Sequence, residues 1–199
     1  MSFKVVDQQN VPLLLGLAGK AGSGKSTVAA YLCREHGYQE FAFAAALKEV
    51  VGVAFDFSQE QLYGDQKETV DPRWGVSPRW CLQWLGTEVL RARFPEIWIK
   101  HLRRDMLEFL SINGQRPVVV SDVRFADEAL ALKKMGGMLV KIERTGGGAA
   151  LGNPAHSSET ALDDYEGFDY LLLNNGTLEW LLAQVDNMVV ALGGGRQIA

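Results

Sequence analysis

Two cysteines in 199 residues, Cys33 and Cys81, are too few and too far apart for a disulfide framework, and they share no metal-ligand spacing. The simpler reading is a pair of buried thiols in a reducing compartment. Long hydrophobic runs are also missing: none approaches the ~18 residues of a transmembrane helix, and the run that starts at Phe41 is broken by Lys48 and Glu49. The opening Met1-Ser2-Phe3-Lys4, with Asp7 following, lacks the pattern of a cleavable signal. Cationic surplus is lacking as well, with 20 Lys+Arg against 24 Asp+Glu and a formal net charge of −4. Proteins that coat nucleic acid or anionic membrane rely on such a surplus. The 51 residues from Thr145 to Gly195 contain no Lys or Arg and seven acids, so any track for a polyanion would be short. The expectation is a soluble, cytoplasmic protein with no membrane and no stable nucleic-acid partner.

What is present is an ordinary globular composition, 47% hydrophobic and 22% charged, in a length that suits one domain carrying an inserted subdomain. Val11 to Ala18 is a short apolar run ending in glycines, as in a buried parallel strand. A helix follows from Lys25 to His36 with Gly37 placed to close it. Tyr38 to Phe43 reads as a second strand and Ala44 to Val53 as a helix, and Ser58 with Gln61 makes a capping box. Pro72, Gly75 and Pro78 break residues 65–78 into a loop. Residues 79–110 are mostly helical, with a break at Phe94-Pro95. Strands are expected at Pro117–Asp122, Met138–Ile142 and Asp169–Leu173. A helix at Ala126–Met135, closed by Gly136-Gly137, separates the first two. Thr177 caps a last helix whose apolar face is Leu178, Leu181, Leu182, Val185, Met188, Val189 and Leu192. Alternating strands and helices predict an α/β fold with a central parallel five-stranded sheet and helices on both faces. Residues 44–110 break the alternation and read as a helical insert, and residues 145–160 as a lid-like loop.

The strongest chemical signal is Gly19-Lys20-Ala21-Gly22-Ser23-Gly24-Lys25-Ser26-Thr27, a complete G-x-x-x-x-G-K-[ST] between an apolar strand and a helix. Such glycines let backbone N–H groups turn inward around a phosphate, and the following helix adds its positive end. Gly22, Ser23, Gly24, Lys25, Ser26 and Thr27 would then cradle ATP, with Lys25 on the β- and γ-phosphates and Ser26 on Mg²⁺. Asp122, at the end of an apolar strand, is the matching carboxylate for Mg²⁺; its plainer reading is a helix-capping Asp. Arg124 lies near the same edge.

Charge is unevenly spread. Residues 73–104 carry seven Lys or Arg against two Glu, and four of the five tryptophans, Trp74, Trp80, Trp84 and Trp98, fall in the same stretch. Guanidinium groups fork onto phosphate and flat aromatics stack on bases. A pocket for a phosphorylated, base-bearing second substrate is the sharper reading; an amphipathic insert with buried tryptophans and solvated arginines is the plainer one.

These motifs, in their order and spacing, resemble the phage-type deoxynucleoside monophosphate kinases. The resemblance runs from the P-loop through Phe41-Ala-Phe-Ala-Ala-Ala-Leu-Lys48, Lys67-Glu68, Ser77-Pro-Arg79, Leu82-Gln83-Trp-Leu-Gly86-Thr87-Glu88 and Arg91. It continues through Trp98, Ser121-Asp122-Val-Arg124-Phe125, His156-Ser-Ser-Glu159, Asp163-Asp164 and Phe168-Asp169-Tyr170. It covers roughly residues 12–182. It implies a P-loop kinase fold and transfer of the γ-phosphoryl of ATP to a deoxynucleoside 5′-monophosphate. It implies that Lys20, Lys48, Arg79 and Arg91 hold the acceptor phosphate, with Gln83, Trp98 and Glu159 near the acceptor. Arg124 and Arg144 would approach the transferring phosphate or the ATP, with Lys25 and Asp122 completing the catalytic set. A homodimer, and host cytoplasm for a phage-encoded chain, are further implications. One departure is the presumed lid, which offers no arginine and only His156, leaving Arg144 at its base to supply charge. Animal-type phosphomevalonate kinases share the P-loop, the Ser-Asp-x-Arg strand end and the His-x-Ser-Glu segment, but an isoprenoid acceptor offers nothing for tryptophans to stack on. A P-loop ATPase or switch acting on a macromolecule is the remaining alternative.

Overall fold

Strand β1 (Leu14–Ala18) is buried along its whole length because helices cover both sides of it. Leu15 and Leu17 point into one apolar layer, and Leu14 and Ala18 into the other. The computed structural model describes residues 13–144 and 156–193. In chain order β1 is followed by α1 (Lys25–His36), β2 (Gln39–Phe41), α2 (Ala45–Phe55), α3 (Gln59–Tyr63) and α4 (Pro78–Gln83). Then come α5 (Ile97–Asn113), β3 (Val118–Val123), α6 (Ala126–Lys134), β4 (Met138–Glu143), α7 (Ser157–Thr160), β5 (Tyr170–Leu173) and α8 (Leu178–Gly193). The five strands are parallel in the order β2-β3-β1-β4-β5. This is the predicted sheet. Its neighbours on either side of β1 place the loop leaving β1 in a crevice at the carboxyl edge, where open α/β sheets bind ligands.

Helices α1 and α8 supply Val28, Ala29, Leu32, Leu181, Val185, Met188 and Val189 to one layer. Helices α2, α5 and α6 supply Leu47, Val51, Leu102, Met106, Ala129 and Leu132 to the other. The local stop and start signals hold. Gly37 ends α1 in the left-handed region and donates its N–H to Leu32. The Ser58 capping box forms in both directions. The expected apolar face of α8 forms from Leu181 onward, while Leu178 is exposed because it sits on the first, solvent-facing turn. No helix among the described residues is long and apolar enough to cross a membrane.

The stretch between β2 and β3 adds detail to the sequence expectation in two places. Residues 65–78 are an ordered staple. A 3₁₀ turn at Asp65–Glu68 leads to a tight turn joining Asp71 to Val76. The buried Asp71 carboxylate there accepts from Arg73 Nη2 and Gln61 Nε2, both at 2.8 Å. Those bonds, Arg73 first, hold Asp71 well below the usual carboxylate range. Arg73 also reaches Asp56 at 2.9 Å, so it is spent on this staple. In the second place, α4 runs without a break into a wider-turned helical segment, Trp84–Arg91, where Ala92 N–H reaches back five residues to Thr87. Wide turns of this kind are frequent at functional sites.

Candidate active site

Gly22 and Gly24 take φ of 76° and 107°, conformations that a side chain would oppose. They fold the loop over the start of α1, and Gly24, the residue before that helix, has no side chain to cap it. The first-turn N–H groups of α1 therefore remain available to an anion. Lys25 turns back into the loop and its ammonium donates to the carbonyls of Gly19 and Lys20, the latter at 2.9 Å. Burial and then the Arg124 charge lower its pKa to about 8, against the pull of Glu159 and Asp122. A bound phosphate would return it to full charge. The loop is held from two sides: Asn174 Nδ2, just beyond β5, donates to Ser23 O at 2.9 Å, and Ala21 N–H donates to Glu159 Oε2 at 3.1 Å. Ser26 and Thr27 are exposed at the start of α1.

Strand β3 carries an extra residue opposite β1. Gly16 pairs with Val120, but Ala18 pairs with Val123. A bulge there re-aims side chains at the edge of the crevice, and β3 continues through Val123, past the expected end at Asp122. Asp122 consequently accepts the N–H groups of Phe43 and Ala44, at 2.7 and 3.0 Å, and ties the start of α2 to the centre of the sheet. The Arg124 guanidinium contacts the Ser158 carbonyl at 3.4 Å and pairs with Glu159, whose side chain is only 6% exposed. His156 caps α7 by accepting Ser158 N–H at 3.1 Å, and its other ring nitrogen lies 3.7 Å from Glu88.

Two cavities meet here. The larger, of about 600 Å³, brings together Lys25, Ser26, Lys48, Arg79, Gln83, Arg91, Trp98, Asp122 and Arg124. The smaller, of about 310 Å³, gathers Lys20, Ser23, Arg124, Arg144 and Glu159. Arg124 belongs to both. Several of these cations are already paired. Arg79 bonds Glu68, Lys20 lies 3.1 Å from Asp163, and Arg91 bonds Asp127 and, at 3.2 Å, Glu128. The Arg91 guanidinium also lies 3.9 Å above the Phe125 ring. Arg144, at the end of β4, approaches the Gly22 carbonyl at 3.4 Å.

The tryptophans do not form the expected stacking wall. Trp80 and Trp84 stack on each other at 5.4 Å on the outside, 47% and 37% exposed, and neither lines a cavity. Their four-residue spacing on one helical path puts both rings on the same outer side. Trp98 does line the larger cavity but is buried, and its indole N–H donates to Gly86 O at 3.0 Å, bracing the wide-turned segment. The aromatic rings that face the cleft come instead from Phe41, Phe43, Tyr63 and Phe125.

Two lining residues escaped the sequence reading. Lys67 was visible only as half of the Lys67-Glu68 pair. Glu128 is 2% exposed and accepts the N–H groups of Arg124 and Phe125 at 2.9 and 3.1 Å. Burial raises its pKa to about 8, and Asp122 adds to the rise, against those bonds and Arg91. Its position three residues after Phe125 was the only available signal.

Parallel strands, a glycine-walled phosphate loop and a flanking cationic cleft define a P-loop kinase. Among solved structures, a dephospho-CoA kinase from Campylobacter jejuni superposes with a TM-score of 0.51 at 12% identity, covering 92% of this chain and 98% of that one. A Chloroflexus aurantiacus protein provisionally titled a kinase gives 0.50 at 15% identity, covering 94% and 99%. Both are likenesses of fold. An Acanthamoeba polyphaga mimivirus protein, provisionally named a deoxynucleotide monophosphate kinase, is 39% identical over 188 residues, 89% of this chain and 96% of its own. The family described as deoxynucleotide monophosphate kinase matches residues 67–185. The chain belongs to the deoxynucleotide monophosphate kinase family, and its reaction is phosphoryl transfer to a deoxynucleoside monophosphate.

Proposed function

We propose that the donor is ATP, its β- and γ-phosphates in the loop Gly22–Thr27, and that the acceptor 5′-monophosphate lies in the 600 Å³ cleft. The observation that carries this reading is Arg124, among the described residues the one guanidinium that lines both cavities. A group in that position meets the phosphoryl in transit. Such transfer needs little covalent help; alignment of two anions and neutralisation of the equatorial oxygens supply the rate. Lys25 neutralises the donor phosphates and Arg144 adds charge from the end of β4. Lys48, Arg79 and Arg91 orient the acceptor from α2, α4 and the wide-turned segment, which makes residues 44–110 the acceptor-binding insert. Gln83 faces the acceptor from the end of α4. Lys20 and Glu159 act from the smaller cavity, Glu159 by holding Arg124 and the loop in one arrangement.

Mg²⁺ fits the donor set. Among the described residues no group of three His, Cys, Asp or Glu is placed to hold a metal, and Mg²⁺ in kinases takes few protein ligands, with phosphate oxygens and waters completing the shell. Ser26 and Asp122 would hold it, and the ion would supply charge neutralisation at the phosphates. Each Asp122 oxygen accepts one backbone N–H and keeps a second acceptor site. A reducing cytoplasm suits the two free thiols. The test is product formation from ATP and Mg²⁺ with each of the four common deoxynucleoside monophosphates and their ribose counterparts. Stoichiometric ADP and nucleoside diphosphate are expected. No diphosphate from any acceptor overturns the reading.

A further inference from the structure

The cations around the acceptor cleft fall into two groups. Arg79, Arg91 and Arg124 each pair with an internal carboxylate, Glu68, Asp127 with Glu128, and Glu159 respectively. Lys25 donates to two loop carbonyls. Lys48 lies 3.9 Å over the Tyr63 ring, a weaker partner than a carboxylate. Lys67, on the 3₁₀ turn after α3, lines the same cleft, and no hydrogen bond or ion pair engages its ammonium among the described residues. Three cations share the cleft with it from three elements, Lys48 of α2, Arg79 of α4 and Arg124 at the end of β3, and they outweigh the opposing charge of Glu68 beside it. A half-buried ammonium held among like charges is unfavourable until an anion arrives.

We propose that Lys67 is a ligand of the acceptor's 5′-phosphate, supplying with Lys48 the cations that are free to receive it, while the arginines must first exchange an internal partner. This rests on the cleft being the acceptor site. A dianion set among Lys48, Lys67, Arg79 and Arg124 neutralises their repulsion without breaking any existing pair. Arg79 then tightens onto it as Glu68 is released, while Glu159 keeps Arg124 in place.

Burial and those three neighbours lower the Lys67 pKa to about 8. A bound dianion raises it again, so above pH 8 acceptor binding draws a proton onto this side chain. A nucleotide phosphate, with its second pKa near ~6, is already a dianion there and contributes none. Lys25 faces the donor loop and is tested separately with ATP.

The test uses deoxynucleoside monophosphate alone, titrated calorimetrically at pH 8.5 in two buffers of different ionisation enthalpy. Wild-type protein should take up a fraction of a proton. Lys67→Gln should raise the acceptor KM about tenfold, leave the ATP KM unchanged and diminish the uptake, the remainder coming from Lys48 and Glu128 of the same cleft. Lys67→Arg should restore most of the affinity yet show the same diminished uptake as Lys67→Gln, because guanidinium does not deprotonate in this range. The site is half-exposed on a short turn, so neither substitution removes core packing. An active enzyme in which Lys67→Gln leaves the acceptor KM within twofold overturns the role of Lys67, as does undiminished uptake in Lys67→Arg. A wild-type enzyme that forms no diphosphate with any acceptor overturns the reading of the cleft instead.

Discussion

The proposed donor loop and the proposed acceptor cleft solve the same problem, holding a phosphate, with different materials. The loop is nine consecutive residues whose backbone N–H groups and one lysine converge because glycines permit it. The cleft is assembled from side chains of α2, the 3₁₀ turn, α4, the wide-turned segment and β3. Backbone groups are pre-organised and need no counter-ion when empty. Side-chain cations crowded together do need one, and the protein provides it internally through Glu68, Asp127 and Glu159. On the proposed reading the donor side is therefore ready-made, and the acceptor side works by exchange of partners.

The most severe test of that contrast is Arg124, which serves both sides. Arg124→Ala should lower kcat on the order of 10³-fold, the scale of a lost arginine at a transferring phosphoryl, with smaller changes in either KM. Comparable losses confined to one KM would make it a binding residue of that side alone. On the donor side, Lys25→Met should lower kcat/KM for ATP on the order of 10²-fold, while deoxynucleotide binding measured by calorimetry without ATP persists. On the acceptor side, Arg79→Ala should raise the acceptor KM only several-fold, since part of its interaction is spent on Glu68; steady-state kinetics at saturating ATP reads this directly.

A pH test probes Glu128, the buried carboxyl beside Arg91 in the cleft. Glu128 has a folded pKa raised to about 8 by burial, above the ~4.3 of an exposed glutamate. Its native state keeps a proton that the unfolded chain has lost, so its contribution to stability is full at low pH. That contribution declines as pH rises from near 4 through about 8. Glu128→Gln should flatten the decline in denaturant midpoints over this window, and an unchanged slope would place the charge elsewhere. The smallest effect is expected at Trp98→Phe, which keeps the ring buried but loses the bond to Gly86. The cost should be about 1 kcal/mol of stability, with kcat nearly unchanged, as measured by thermal unfolding.

Legibility in the sequence followed the same division. The P-loop, the Gly37 stop and the Ser58 capping box are contiguous and depend on backbone rules, and each formed as read. The arginine and tryptophan enrichment of residues 73–104 pointed to a stretch that lends Arg79, Arg91 and Trp98 to the cleft, but composition does not say which side of a helix a residue occupies. Arg73 went to a staple with Asp71 and Asp56, and Trp80 and Trp84 went to the outer surface. Lys67 stood outside the enriched stretch and entered the cleft through a turn that read only as a polar loop.

By itself the sequence determined the α/β alternation, the phosphate loop and the family resemblance, because strand burial, helix capping and glycine geometry act over a few neighbouring residues. Only the tertiary structure decided which cations share the cleft, which carboxylates neutralise them, and that Asp122 anchors α2. These are meetings between residues tens of positions apart, created when the sheet and the insert pack together.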